Sequence, residues 1–491
     1  MRKSNDYSQS NFVRNYFLVI LSVVFVFSLM ILTINKVTGS GNNFIGKLGK
    51  TLLIPKEAGR NSGPIQMDMR LNNNYYYDEK NGQVYLYLDI KADNIEVSNE
   101  DRTPMNLSIV VDRSGSMNSS NKLGYVKEAV NYILDELNYD DYVSIVTYDD
   151  YVDVLQKSSQ MESRFDLKDK VNRLESGGYT NLSGGMLEGF DQVKDTYRSG
   201  YVNRVLLLSD GIANRGITEV YKLKDLVKEK NYRDGIVLST FGVGSDFNED
   251  LMSSIADYGR GNYYFINNPE RIPRIFAEEL RGISTLAGQN AKVKIQFPAE
   301  YFRLNKVFGY PYDAEGSSVT IDFKDIFAGE RKTVLLKFDV IKKSSKHQKF
   351  YADLQYNDAT ENGRWVTDYQ DVSITPTESA SIYRDNFDEE VQQQVAMFEA
   401  NEVMEEAMKL TDEGRYDDAR ARLQTGRDEI QQEFGELAPS PEMNRQMESL
   451  DKYEKDLDGV ENKTEEERST MQKSAKYDNY NIRKGKEEQD E

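Results

Sequence analysis

Cysteine is absent from the 491 residues, and histidine occurs once, at His347. The first absence excludes disulfides, thiolate metal sites and cysteine nucleophiles. The second removes most imidazole catalysis and ordinary His-rich zinc sites. His347 stands in the polar run Lys343-Ser344-Ser345-Lys346-His347 and reads as a solvated loop residue. Basic charge is also scarce: 62 Lys and Arg against 82 Asp and Glu give a formal charge of −20. That excludes nucleic acid as the main partner, because phosphate binding needs a basic face. It also disfavours tight docking on anionic lipid headgroups. No G-x-x-x-x-G-K-S/T phosphate loop occurs, so any ATPase acting with this protein is a separate chain.

Long apolar runs are limited to one. Residues 16–34 pass 19 positions without a charge, about the length that crosses a ~30 Å hydrocarbon core. We read 1–15 as a polar tail, 16–35 as an uncleaved transmembrane signal anchor and 36–63 as a tether. Arg2, Lys3 and Arg14 precede the run, which favours an amino terminus inside. The expectation is a single-pass membrane protein with most of its chain extracytoplasmic.

Length allows about three domains at ~150 residues each. Strand-like and helix-like segments alternate over 100–285, the pattern of an α/β fold with a mostly parallel sheet and helices on both faces. Residues 288–377 change to period-two alternation, as in Lys292-Val293-Lys294-Ile295-Gln296-Phe297, which indicates an antiparallel β-sandwich. That sandwich looks short of strands. Residues 64–99, with the β-forming run Val84-Tyr85-Leu86-Tyr87-Leu88, are expected to complete it, leaving the α/β domain inserted between the two parts. Apolar residues at helical spacing mark 386–457 as helical. Residues 458–491 are charged and nearly free of large aliphatics, and read as a flexible tail.

The chemistry concentrates at three places. The apolar run 107–111 ends in Asp112, Ser114 and Ser116, three oxygen side chains at every second residue. Gly177-Gly178-Tyr179-Thr180-Asn181 offers a threonine hydroxyl before a helix, and the run 205–208 ends in Ser209-Asp210-Gly211. In an open α/β sheet, strand ends of this kind line the ligand crevice. Five oxygen donors suit a hard divalent cation, most simply Mg²⁺, with Mn²⁺ or Ca²⁺ as alternatives. Asn214, just beyond, is read as shaping the loop.

These five positions, in type and order, resemble the metal-ion-dependent adhesion site of the von Willebrand factor type A family, over residues 100–285. The further segments resemble bacterial membrane-anchored members by general pattern. The resemblance implies a Rossmann-like domain in which Ser114, Ser116 and Thr180 hold the ion directly, while Asp112 and Asp210 act mostly through water. It implies a recognition device rather than an enzyme, used in cell adhesion to capture an Asp or Glu carboxylate of a partner protein. The alternative is an accessory or assembly factor working with a separate ATPase on the cytosolic side.

Overall fold

The computed structural model describes residues 63–77, 82–95, 102–211, 213–244, 247–282, 285–361, 363–435, 437–438 and 440–484. The chain enters with β1 (Ile65–Leu71), β2 (Tyr75–Tyr77) and β3 (Gln83–Ala92). The α/β domain follows, with β4 (Met105–Asp112), α1 (Lys122–Glu136), β5 (Tyr142–Tyr148), β6 (Val152–Gln160), α2 (Arg164–Asn172) and α3 (Leu182–Asp195). It continues through β7 (Val202–Ser209), α4 (Val220–Asp234), β8 (Val237–Val243), α5 (Glu249–Tyr258), β9 (Arg260–Ile266) and α6 (Ile272–Gly282). Then come β10 (Leu286–Gln296), β11 (Phe302–Phe308), β12 (Asp313–Glu315), β13 (Ser318–Phe327), β14 (Arg331–Val340), β15 (Gln348–Asp358) and β16 (Arg364–Thr377). Five helices close the described chain: α7 (Ala380–Arg384), α8 (Glu389–Asp412), α9 (Tyr416–Phe434), α10 (Pro441–Asp456) and α11 (Glu465–Arg483).

The central sheet has the order β6-β5-β4-β7-β8-β9. All its pairings are parallel except the antiparallel edge strand β6. β4 and β7 are buried at every position, because helices cover both faces of their sheet. This places the carboxyl ends of β4 and β7 side by side, where Asp112 and Ser209-Asp210 lie.

The remaining strands form two further sheets. β1, β3, β14 and β11 make one, and β12, β13, β10, β15, β16 and β2 make the other. The two share one apolar core, so the α/β domain is inserted between β3 and β10. Along β3 the pleat alternates in its use. Val84, Leu86, Leu88 and Ile90 face the shared core, while Tyr85 and Tyr87 face a separate cluster with Val391, Val395 and Leu423 of the helices.

Two expectations need correction. Among the described residues no helix is long and apolar enough to cross a membrane. The 24-residue α8 has the length but carries Glu399, Glu402, Glu405 and Glu406. The single-pass membrane placement is therefore withdrawn; the proposed anchor at 16–35 lies outside the described residues, as do the tail 1–15 and the tether up to residue 62. Second, residues 458–491 are not a flexible tail throughout. α11 begins with a capping box between Thr464 and Glu467, in which each group satisfies a backbone N–H of the helix start. The helix buries Tyr477 and Tyr480 in the α/β core, with both rings edge-on to Tyr263 at 5.7 and 5.4 Å. Residues 485–491 lie outside the described part.

Candidate metal centre

The first arm is the turn after β4. Asp112 is fully buried and Ser114 is 1% exposed. The Ser114 N–H donates to Asp112 Oδ1 at 2.9 Å, closing a side-chain turn at once after the strand. The hydroxyls of Ser114 and Ser116 then stand 3.0 Å apart.

The second arm is the glycine loop. Gly177 N–H donates to the Arg113 carbonyl at 2.8 Å, and Gly115 N–H to the Gly178 carbonyl at 3.0 Å, tying this loop to the first. Gly178 has φ +78°, and a Cβ there would lie 2.7 Å from Asp150 Oδ2. No other residue type fits without strain. Thr180 is 2% exposed. Its N–H donates to Asn214 Oδ1 at 2.7 Å, and its carbonyl accepts from the N–H groups of Asn214 and Arg215. Asn181 then caps α3 by accepting from Gly184 N–H at 3.1 Å.

The third arm is the end of β7. Ser209 donates its hydroxyl proton to Asp112 Oδ2 at 2.7 Å and accepts from Gly211 N–H at 2.8 Å. Asp210 is fully buried. Its Oδ2 lies 3.1 Å from Lys122 Nζ, while its Oδ1 is buried with no hydrogen-bond partner among the described residues. The Asp210 carbonyl accepts from Asn248 N–H at the start of α5.

All five residues singled out in the sequence thus sit on three linked segments at one end of the sheet. Burial, and then the charge of Asp210, push the Asp112 carboxyl up to about 6, although the Ser209 and Ser114 hydrogen bonds pull it down. Two buried carboxylates and an orphaned acceptor oxygen, beside three hydroxyl residues, form an all-oxygen donor set. That set fits a hard divalent cation, and a cation there would satisfy the orphan and relieve the repulsion.

Several supporting residues escaped sequence reasoning. Ser209 adjoins Asp210, and its place at the end of a buried strand was a usable signal. Asp149 and Asp150 end β5 in the same way: Asp149 pairs with Arg113 at 3.0 Å, and Asp150 accepts from Tyr179 N–H at 3.2 Å. Lys122 gave no signal, since a lysine among Asn and Ser residues looks solvated. On the rim, Tyr179 is 56% exposed under the Arg215 guanidinium, 4.6 Å from the ring centre.

Comparison with known proteins bears on the domain that carries these residues. Residues 106–278 match the model of the von Willebrand factor type A domain. The uncharacterized protein YfbK of Escherichia coli is 29% identical over 243 residues, 48% of this chain and 42% of that protein. Human inter-alpha-trypsin inhibitor heavy chain H2 is 24% identical over 273 residues, 54% of this chain and 27% of that protein. The matches therefore span less than half the length of these curated relatives. Among solved structures, a von Willebrand factor type A protein from Catenulispora acidiphila has a TM-score of 0.63 at 17% identity, covering 81% of this chain and 91% of that one. The ArnB paralog VWA2 from Sulfolobus acidocaldarius has a TM-score of 0.56 at 16% identity, covering 84% and 98%. At such identities these structures speak for the fold alone. Domains of this type are protein–protein interaction and adhesion modules and often bind a divalent metal.

Proposed function

Since residues 106–278 form a von Willebrand factor type A domain, we propose that the protein grips a partner protein through a divalent cation, most simply Mg²⁺. Asp112, Ser114, Ser116, Thr180 and Asp210 would hold the ion. When bound, the cation supplies an electrophilic position for a carboxylate oxygen of a partner's Asp or Glu. The chain's own residues do the rest. Asp112 and Ser209 fix the first and third arms together, Asn214 and Gly178 hold Thr180 in place, and Tyr179 with Arg215 offers an aromatic and cationic rim for residues flanking the acid. In this reading the domain is a binding device; cysteine chemistry is excluded, and the one histidine belongs to the loop between β14 and β15.

The observation that carries this reading is the buried Asp210 Oδ1, without a hydrogen-bond partner among the described residues, at the end of the same sheet as the Ser114–Ser116 hydroxyl pair. The test is a pull-down of native extract with the purified chain in Mg²⁺, in EDTA, and with Thr180→Ala. A partner retained with Mg²⁺ and lost in both other conditions is expected. Equal retention in all three would refute metal-dependent capture.

A further inference from the structure

Lys122 is the feature of this site that the five oxygen residues do not explain. Its side chain is 1% exposed, and its ammonium sits 3.1 Å from Asp210 Oδ2. A buried charge is costly unless paired, so a fold that draws a lysine inward must compensate for it locally. Asp210 supplies the counter-charge, and the backbone makes room for the side chain in two places. Ser120 and Asn121, immediately before it, both adopt left-handed backbone with φ of 52° and 57°. Consecutive non-glycine residues there are uncommon, and they turn the chain so that α1 starts with Lys122 facing the sheet end. On the other side, Gly244 has φ +87°, and a Cβ there would lie 2.7 Å from Lys122 Cε. The backbone on both sides is shaped around this one side chain.

We propose that Lys122 is a resident cation of the metal centre, a positioning residue that acts through Asp210. This rests on the metal reading above. Asp112 and Asp210 alone would carry two negative charges and be neutralised by a divalent ion. The Lys122 ammonium adds a positive charge within 3.1 Å of Asp210 Oδ2, so the ion and the lysine draw on the same carboxylate. The ammonium holds Asp210 in place, weakens the grip on the ion, and leaves the loaded centre in need of an anionic ligand.

The test is calorimetric titration of the full chain with Mn²⁺ at neutral pH and 0.15 M salt, comparing the unmutated protein with Lys122→Met, Lys122→Arg and, as a loss control, Ser116→Ala. Lys122→Met is expected to bind Mn²⁺ about tenfold tighter, since it removes a like charge from a low-dielectric neighbourhood. Lys122→Arg, which keeps the charge, is expected within about twofold of the unmutated chain. A purely structural ion pair would not separate the two variants in this way. Unchanged or weaker Mn²⁺ binding by a folded Lys122→Met chain overturns the proposal. Should that variant not fold, Lys122→Gln, which removes the charge but keeps a hydrogen-bond donor for Asp210, decides: tighter Mn²⁺ binding than the unmutated chain is expected, and unchanged or weaker binding overturns the proposal. Absence of Mn²⁺ binding by both the unmutated and Lys122→Met chains overturns the metal reading and this proposal with it, whereas binding that ignores Lys122 overturns this proposal alone.

Discussion

At the scale of single residues, the proposed metal centre depends on side chains outside the five oxygen residues. Ser209 links two of the three arms, through its donation to Asp112 and its acceptance from Gly211. Ser209→Ala leaves Asp112 Oδ2 short of a donor at full burial. The expected cost is about 1–3 kcal/mol of stability, read by urea unfolding, with weaker Mn²⁺ affinity measured in the same preparation. Gly178→Ala acts by a different route. It forces a Cβ into left-handed backbone and against Asp150 Oδ2. A loss of about 1–3 kcal/mol is expected, and Mn²⁺ binding falls because Thr180 is two residues on. A Gly178→Ala chain with unaltered melting temperature and Mn²⁺ affinity would contradict this placement of the loop.

At the scale of elements, α11 is held to the α/β domain by rings and by charge. Lys473 and Lys476 meet Glu249 at 2.6 and 2.8 Å, and Arg483 and Lys484 meet Asp257 at 3.1 and 2.8 Å. Burial works against both carboxylates, but the lysines hold the Glu249 carboxyl below its usual range, and Lys484 and Arg483 do so for Asp257. A depressed folded-state pKa contributes stability above the unfolded value and loses it as pH falls through the folded value. The seat of α11 is therefore expected to weaken below about pH 4, where free Asp and Glu take up protons. Hydrogen exchange should show α11 amides losing protection there before those of β4 and β7. Equal, simultaneous loss would contradict a charge-held helix. Deleting 458–491 uncovers Tyr263 and is expected to lower stability by about 3 kcal/mol or more, from two buried aromatic side chains.

The same elements show what the sequence made legible. β4 and β7 read plainly, because strands buried on both faces are nearly unbroken apolar runs; Asp112, Ser114, Ser116 and Asp210 follow from where those runs stop, and Thr180 from the glycine loop before α3. The strands of 65–92 were visible through their β-forming residues. α11 was not: it docks with Gln472, Lys473, Tyr477, Asn479 and Tyr480 rather than aliphatics, so a test based on large aliphatic residues passes it over. Lys122 was equally silent, since its burial depends on left-handed backbone at Ser120 and Asn121, which residue type does not announce, and on Gly244, distant in sequence.

At the scale of the whole molecule, a net charge of −20 repels an acidic partner until it comes close. Salt screens that repulsion beyond about 8–10 Å. Association with an acidic partner is therefore expected to quicken as ionic strength rises from 0.01 to about 0.15 M, opposite to ordinary steering between unlike charges. Surface-plasmon association rates check the sign. Metal location is the sharper question, because a second acidic group exists. Glu249, Asp250 and Asp412 bring carboxylate oxygens within 4.8 Å of one another. Lys476 already pairs with all three, at 2.8, 3.1 and 2.6 Å, and Lys473 with Glu249 at 2.6 Å, so two resident ammonium groups offset most of that cluster's charge. The most direct measurement is an anomalous-difference map from crystals of the full chain grown with Mn²⁺. A single strong peak among the oxygens of Asp112, Ser114, Ser116, Thr180 and Asp210 is expected. A peak at Glu249, Asp250 and Asp412 instead, or none at the end of β4, would contradict metal-dependent capture by this domain.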